Sequence, residues 1–391
     1  MTDSTPGSAD LITRAAHLRP QLWEDAPEVD RTRRLTDRNF AAMRDAGLMQ
    51  LFTPRRFGGL AANLRTYFEV TAALGLGCSS SAWVAGVLNA GNWLVAQFPE
   101  PAQEEVWGAD PFATTCSVLQ PTGEAELVPG GIKLTGKWGY SSGSNHCDWA
   151  IVAYPSPEAA EPELQLALVP MSEVEVQDTW LVTGMRGTGS NTIVAHDVFV
   201  PDHRVLPLMP IFRGENLTAE DPVHRAALAG VLPVSLMGSQ IGAAETALEF
   251  VIEKAPKRQI TASTYAVQAQ SVGFQVDLAE AATTIKAARL IGAQAADVLD
   301  DYAGRGELPN ETVRSGLRMD LSWAVKRACE SVDRLVTAHG TSAFGEFSPM
   351  QRIWRDTGIA TRHAAFNVRI SQEIYAKALL GLDPYEISFL V

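Results

Sequence analysis

Several things are scarce in these 391 residues, and each scarcity removes a class of function. Only four cysteines occur, Cys78, Cys116, Cys147 and Cys329, and no two form a C-x-x-C pair. That spacing excludes a disulfide-framed secreted domain and a cysteine-rich zinc module. The thiols read as reduced and mostly buried. Basic charge is also short, since 32 Lys and Arg face 45 Asp and Glu and leave a net charge of −13. Nucleic acid is therefore not expected as a main partner, because phosphate binding needs a surplus of clustered cations. No apolar run reaches the roughly 18 to 20 residues that span a bilayer. The stretch Met1 to Asp10 lacks the basic start and apolar core of a leader. The sequence predicts a cytoplasmic protein with no membrane partner.

Familiar catalytic signatures are missing as well. The seven histidines, His17, His146, His196, His203, His224, His339 and His363, show no H-E-x-x-H or other ligand spacing, so no metal site is expected. No G-x-S-x-G elbow supports a hydrolase. The glycine-rich run Gly184-Met185-Arg186-Gly187-Thr188-Gly189-Ser190-Asn191 has the wrong spacing for a dinucleotide fingerprint and precedes a strand. By itself it reads as a tight β-turn whose amides could also cradle an anion. No nicotinamide-binding βαβ unit is present, so electrons for any redox chemistry come from elsewhere.

What is present is an ordinary globular composition, 46% hydrophobic and 20% charged. The length suits two or three packed units. Residues 1–112 read as helical after a frayed start. Thr36 or Asp37 can cap a helix that Gly47 stops, Pro54 and Gly58-Gly59 force a turn, and helices follow near 64–74, 81–97 and from Pro101. Within 113–210, β-rich runs appear at 114–119, 132–140, 149–154, 164–169, 174–179 and 192–200. Turn signals separate them at Pro121-Thr122-Gly123, Pro129-Gly130-Gly131 and Pro155 to Glu163. Within 211–391, helical patterns at 223–254, 264–303, 311–339 and 350–381 suggest an antiparallel four-helix bundle. The expected class is α+β: a helical domain, a small central β-barrel and a bundle. The faces Ala281-Ala282, Ala287-Ala288 and Ala295-Ala296 can bury within the chain or against another subunit.

One stretch carries unusual chemistry. Lys137 to Trp149 packs two indoles, a phenol, three hydroxyls, an imidazole and a thiol into thirteen residues. Residue types leave two readings open, a strand whose aromatics cover a small barrel and a wall for a ligand.

Order and proportion of the three regions resemble the acyl-CoA dehydrogenase fold. The residues that carry the resemblance are Ala46-Gly47-Leu48 with Pro54 and Phe57-Gly58-Gly59, the Met185-Arg186-Gly187 loop, Val198-Phe199-Val200-Pro201 and Arg355-Asp356. The dehydrogenases' glutamate base would fall at Ala364, so the resemblance does not extend to ordinary dehydrogenation. The details are closer to the flavin-dependent monooxygenases related to the oxygenase component of 4-hydroxyphenylacetate hydroxylase. Trp138-Gly139-Tyr140-Ser141-Ser142-Gly143, His146-Cys147-Asp148-Trp149, Arg186 to Ser190, and Ser348 to Asp356 followed by His363 carry that likeness.

This resemblance implies reduced flavin (FMNH2 or FADH2) as cofactor, delivered by a separate NAD(P)H:flavin reductase. It implies O2 activation through a flavin C4a-peroxide, hydroxylation of a small electron-rich aromatic, and a homotetramer. It places Ser142 at flavin N5, Trp138 and Tyr140 along the ring, Ser117 near the reacting oxygen, Leu119 near the ring and His363 beside it. Arg258, Thr341 and Ser342 correspond to regions that hold the flavin phosphate. Phenol hydroxylases of this group carry His-Asn-Trp in the third helix where this chain has Gly91-Asn92-Trp93. Asn92 and Trp93 are thus expected at the substrate, with Gly91 leaving room for a bulkier one. Oxygenation at nitrogen or sulfur, a desaturase with a relocated base, and a non-catalytic binding or assembly subunit are the alternatives.

Overall fold

The computed structural model describes residues 7–157 and 163–388. The polar start at 1–6 and most of the expected Pro-Glu-rich loop, 158–162, lie outside the described residues. Six helices come first: α1 (Ser8–His17), α2 (Arg19–Thr32), α3 (Asp37–Asp45), α4 (Leu64–Gly75), α5 (Ser79–Val95) and α6 (Glu100–Trp107). Thr36 Oγ1 caps α3 by accepting the Asn39 N–H at 3.1 Å, and Gly47 ends that region at φ +77°.

The frayed start was an error for residues 8–32. Leu11, Ala15, Leu22, Ala26 and Val29 form a buried stripe along α1 and α2. That stripe is thin in a highly charged segment, and Pro20 and Pro27 obscure its period. Pro20 lies in the first turn of α2, where a missing N–H costs nothing. By contrast α5 is buried along nearly its whole length, with only Val87 partly exposed. A helix apolar on all sides must run through the interior. It contacts α4, the strand Thr115–Val118 and the long helix Leu228–Lys254.

The strands are β1 (Thr115–Val118), β2 (Gly123–Val128), β3 (Gly131–Ser141), β4 (Trp149–Pro155), β5 (Leu164–Pro170), β6 (Glu175–Gln177), β7 (Asn191–Pro201) and β8 (Val205–Pro207). They form two four-stranded sheets, ordered β1-β4-β5-β8 and β2-β3-β7-β6. Only β1 and β4 run parallel. The fully buried Trp138 ties the sheets together, its Nε1 donating to Ala153 O at 2.8 Å. Two strands escaped the sequence, β2 and β8. Both are edges, and β2 carries Gly123, Glu124 and Glu126, which have poor strand propensity.

The remaining helices are α7 (Leu208–Arg213), α8 (Leu228–Lys254), α9 (Val272–Arg305), α10 (Glu311–His339), α11 (Pro349–Ala360) and α12 (Val368–Leu379). The expected helix over 264–303 starts only at Val272, where Ser271 caps it. The expected helix over 350–381 is broken at 361–367. There His363 Nδ1 accepts the Ala365 N–H at 3.2 Å and opens a short 3-10 turn. Ala281, Ala288, Ala295 and Ala296 are buried within this chain. No helix among the described residues is long and apolar enough to cross a membrane.

Candidate active site

The last residues of β3 depart from a regular strand. Its register against β7 slips between Trp138 and Ser141, and Tyr140 adopts φ +63°. A left-handed conformation costs a non-glycine residue roughly 1–2 kcal/mol, and the bulge re-aims the side chains after it. Tyr140 points out, 73% exposed, with its ring edge-on to Trp180 at 5.7 Å. Ser141 points in and bonds Cys116 Sγ at 3.3 Å. Ser142 is left half-buried at the end of the strand.

Ser142 belongs to a chain of hydroxyls. Its Oγ accepts from Trp83 Nε1 at 3.3 Å and lies 2.7 Å from Ser190 Oγ. Ser190 Oγ is 2.6 Å from Thr188 Oγ1, which donates to Met185 O at 2.8 Å. The glycine-rich run is the scaffold for this chain. Gly184 packs so tightly on α11 that a Cβ would sit 2.2 Å from Arg355 O, and one on Gly187 would meet Val29 of α2 at 2.1 Å. Asp356 accepts the Met185 N–H at 2.5 Å, and burial pushes its carboxyl up to about 6. Arg186 donates to Asp30 O at 2.8 Å and Val182 O at 3.0 Å. The run is therefore a turn clamped between α2 and α11, and its own backbone is spent on holding Thr188 and Ser190.

His363 completes this cluster from the break between α11 and α12. Its ring stands edge-on to Trp83, with centroids 5.6 Å apart. The residue is exposed in the single chain, while its ring has many protein atoms around it. Burial pushes it down to about 4, so it is neutral near pH 7. Because Nδ1 accepts the Ala365 N–H, the neutral ring carries its proton on Nε2. That leaves Nε2–H as the ring's donor.

Arg258, Ser342 and His339 form a second cluster, with Thr341 exposed beside it. Arg258 Nη1 donates to His339 Nε2 at 2.9 Å and to Ser342 Oγ at 2.5 Å, and Nη2 donates to His339 O at 2.8 Å. Burial first, then the Arg258 and Lys254 charges, hold His339 down at about 4. Its proton is therefore on Nδ1. That N–H and Arg258 Nε are both buried without an acceptor among the described residues.

Three expected site residues are elsewhere. Trp138 is sealed in the β-core against Gly123 and Gly136, so it cannot lie along an open ring. Asn92 is fully buried, its Nδ2 donating to Thr53 Oγ1 at 3.2 Å and Met49 O at 3.4 Å. Trp93 is fully buried with Nε1 donating to Val223 O at 2.9 Å. Gly91 leaves no room for substrate, since a Cβ there would lie 1.8 Å from Thr115 O of β1. Ser117 is half-buried and shares the strand face of Thr115, toward α5, and Leu119, just beyond β1, is half-buried. Trp83, Thr188 and Ser190 were missed as site residues.

Comparison with known proteins decides what this arrangement belongs to. Residues 15–110 match the family model for the acyl-CoA dehydrogenase N-terminal domain, and residues 235–368 match that for the C-terminal domain. The chain is 35% identical over 384 residues to the flavin-dependent monooxygenase oxygenase subunit HsaA of Mycobacterium tuberculosis, covering 96% of each. It is 31% identical to the FADH2-dependent resorcinol hydroxylase oxygenase component of Rhizobium sp., covering 96% of this chain and 95% of that one. The structure of XiaF from Streptomyces sp., in complex with FADH2 and glycerol, superposes with a TM-score of 0.93 at 37% identity, covering 97% of this chain and 96% of that one.

The chain is a flavin-dependent monooxygenase of the acyl-CoA dehydrogenase fold.

The residues present fit a flavin of this family. Ser142 Oγ and the His363 ring both adjoin Trp83, and they offer an acceptor and a donor. In the second cluster, Arg258 has no carboxylate partner among the described residues, and its own Nε–H and the His339 Nδ1–H are buried without acceptors. The half-buried Arg258 and Ser342 and the exposed Thr341 are the groups there that suit a phosphate. Ala364, where the dehydrogenases carry their base, offers only a methyl group.

Proposed function

We propose that this monooxygenase is the oxygenase component of a two-component aromatic hydroxylase. It takes FMNH2 or FADH2 from a separate NAD(P)H:flavin reductase in the cytoplasm and hydroxylates a phenolic, indolic or polycyclic ring. The single observation that carries the reading is the Trp83–Ser142–His363 cluster, with polar groups that are neutral, directional and partly open. The names of the relatives, oxygenase subunits or components acting on aromatic compounds, support the substrate class and the need for a partner.

Bound there, reduced flavin supplies the electrons that activate O2. The chain supplies the surroundings. Ser142 would meet N5 without adding charge, Tyr140 would cover the ring, and Ser117 of β1 and Leu119 just beyond it would lie nearby. His363, neutral with its proton on Nε2, donates to oxygen as negative charge develops on it. Arg258, Ser342 and Thr341 hold the phosphate. The largely buried Trp83 excludes water from the side of α5, which keeps reduced flavin and oxygen from giving hydrogen peroxide. The exposed Phe344 and Phe347 rings are available to a subunit interface of a homotetramer. Desaturation has no base at Ala364.

The test supplies purified protein with reductase, NAD(P)H, flavin and a panel of phenols, indoles and polycyclic aromatics. The expected result is oxygen-dependent hydroxylated product, with Ser142→Ala and His363→Ala diverting turnover to hydrogen peroxide. Absence of product across the panel, with reduced flavin present throughout, overturns the reading.

A further inference from the structure

Each hydroxyl in the chain from Ser142 to Met185 has one proton to give, and the geometry fixes where each proton goes. Met185 O has no proton, so the 2.8 Å contact with Thr188 Oγ1 exists only if Thr188 donates. With its proton spent, Thr188 must accept from Ser190 across 2.6 Å. Ser190 in turn must accept from Ser142 across 2.7 Å. Ser142 has then given its only proton, and one of its lone pairs already takes Trp83 N–H at 3.3 Å. What remains on the open side of Ser142 is a lone pair and nothing to donate. Thr188 and Ser190 are 2% and 4% exposed, so water is not at hand to reverse the chain.

We infer that Thr188 and Ser190 are positioning residues that make Ser142 an obligate acceptor and so select the redox state of the flavin. The inference rests on the reading that Ser142 meets flavin N5. Reduced flavin carries a hydrogen on N5 and donates to Ser142. Oxidised flavin has only a lone pair there, and two acceptors would face each other. A site wired in this way binds cofactor that arrives reduced and releases it once oxidised, as a protein without a nicotinamide site of its own requires. The direction originates at a backbone carbonyl that also accepts from Trp180 Nε1 at 2.9 Å and from the Thr188 N–H at 3.2 Å. No titratable group lies in the relay.

The experiment measures dissociation constants for oxidised FMN and FAD in air and for their reduced forms anaerobically. It is run on wild type, Ser190→Ala, Thr188→Val, Thr188→Ser and Ser142→Ala. Ser190→Ala removes the acceptor for the Ser142 proton, and Thr188→Val removes the step that fixes its direction. Both free Ser142 to donate to oxidised N5. One reoriented hydrogen bond predicts that the preference for reduced over oxidised flavin falls about tenfold in each. The midpoint potential of the bound flavin then falls by about 30 mV for the two-electron couple. Thr188→Ser keeps the hydroxyl and retains the wild-type ratio, which separates loss of direction from damage to the loop. A wild-type ratio in both Ser190→Ala and Thr188→Val overturns the inference. If Ser142→Ala lowers the ratio while those two do not, the relay is wrong but Ser142 still meets N5. If Ser142→Ala leaves the ratio unchanged, the contact with N5 itself is wrong.

Discussion

Helix α5 carries two tryptophans near its opposite ends, and they do different work. Trp83 is 6% exposed, and its N–H is aimed at the half-open Ser142 hydroxyl. Trp93 is 0% exposed, and its N–H is aimed at the carbonyl of Val223. Both look alike as residue types, both lie on an interior helix, and both hydrogen-bond. The difference is whether the acceptor has capacity left over. Ser142 keeps a lone pair for a ligand, whereas the Trp93 bond closes on a buried carbonyl and ends there. An active site on a buried helix is recognised by unspent hydrogen-bonding capacity, and aromatic or polar content alone does not show it.

The largest effect that sharpens this contrast comes from removing the closed tryptophan. Trp93→Ala should destabilise the protein by about 3–5 kcal/mol in denaturant unfolding, because a fully buried indole leaves a cavity and an orphaned carbonyl. His339 gives the next largest effect. Its pKa is held at about 4 when folded against 6.5 in the ordinary state. The unfolded chain therefore binds more protons between those values, and stability falls as pH drops. The part contributed by His339 is full above about pH 6.5 and lost by about pH 4, on the order of 3 kcal/mol by that shift. Denaturation midpoints across that range check it, and His339→Gln should flatten the curve.

Gly91→Ala comes third. A methyl group 1.8 Å from Thr115 O must push α5 off β1, and about 1–3 kcal/mol of destabilisation is expected. An unchanged melting temperature would mean that the chamber assigned to Gly91 on sequence grounds exists after all. The smallest effects discriminate best. Trp93→Phe should cost about 1–3 kcal/mol by stranding the Val223 carbonyl while leaving flavin affinity unchanged. Trp83→Phe should cost under about 1 kcal/mol, because Ser142 is half-open and water can replace the lost donor. It should nonetheless weaken reduced-flavin binding about fivefold in anaerobic titration.

The same distinction explains what could be read from the sequence. Helix, strand and helix periods gave the three regions in the right order, since hydrophobic spacing of 3.6 or 2 is local information. Segments whose apolar stripe is thin were lost, namely α1, α2 and the edge strands β2 and β8. At the site, Ser142 and His363 stood in recognisable runs of neighbours. Trp83 did not, because it lies in a helix where almost every position is buried and so no periodicity singles it out. Thr188 and Ser190 stood in a tight turn that also carries the family resemblance, but with no role of their own, since their contact is with Ser142 at the end of β3. Trp138, Asn92 and Trp93 were placed at the ligand by the family resemblance, and all three are fully buried with their side-chain N–H groups bonded inside the chain. Nothing in a single sequence shows which face of a strand is sealed by a second sheet.

The most direct measurement is a structure of the protein prepared anaerobically with FADH2 or FMNH2. The account predicts N5 about 3 Å from Ser142 Oγ, with Tyr140 and His363 against the ring and Trp93 untouched in the core. A flavin ring seated away from Ser142, or one whose N5 faces another residue, would contradict it.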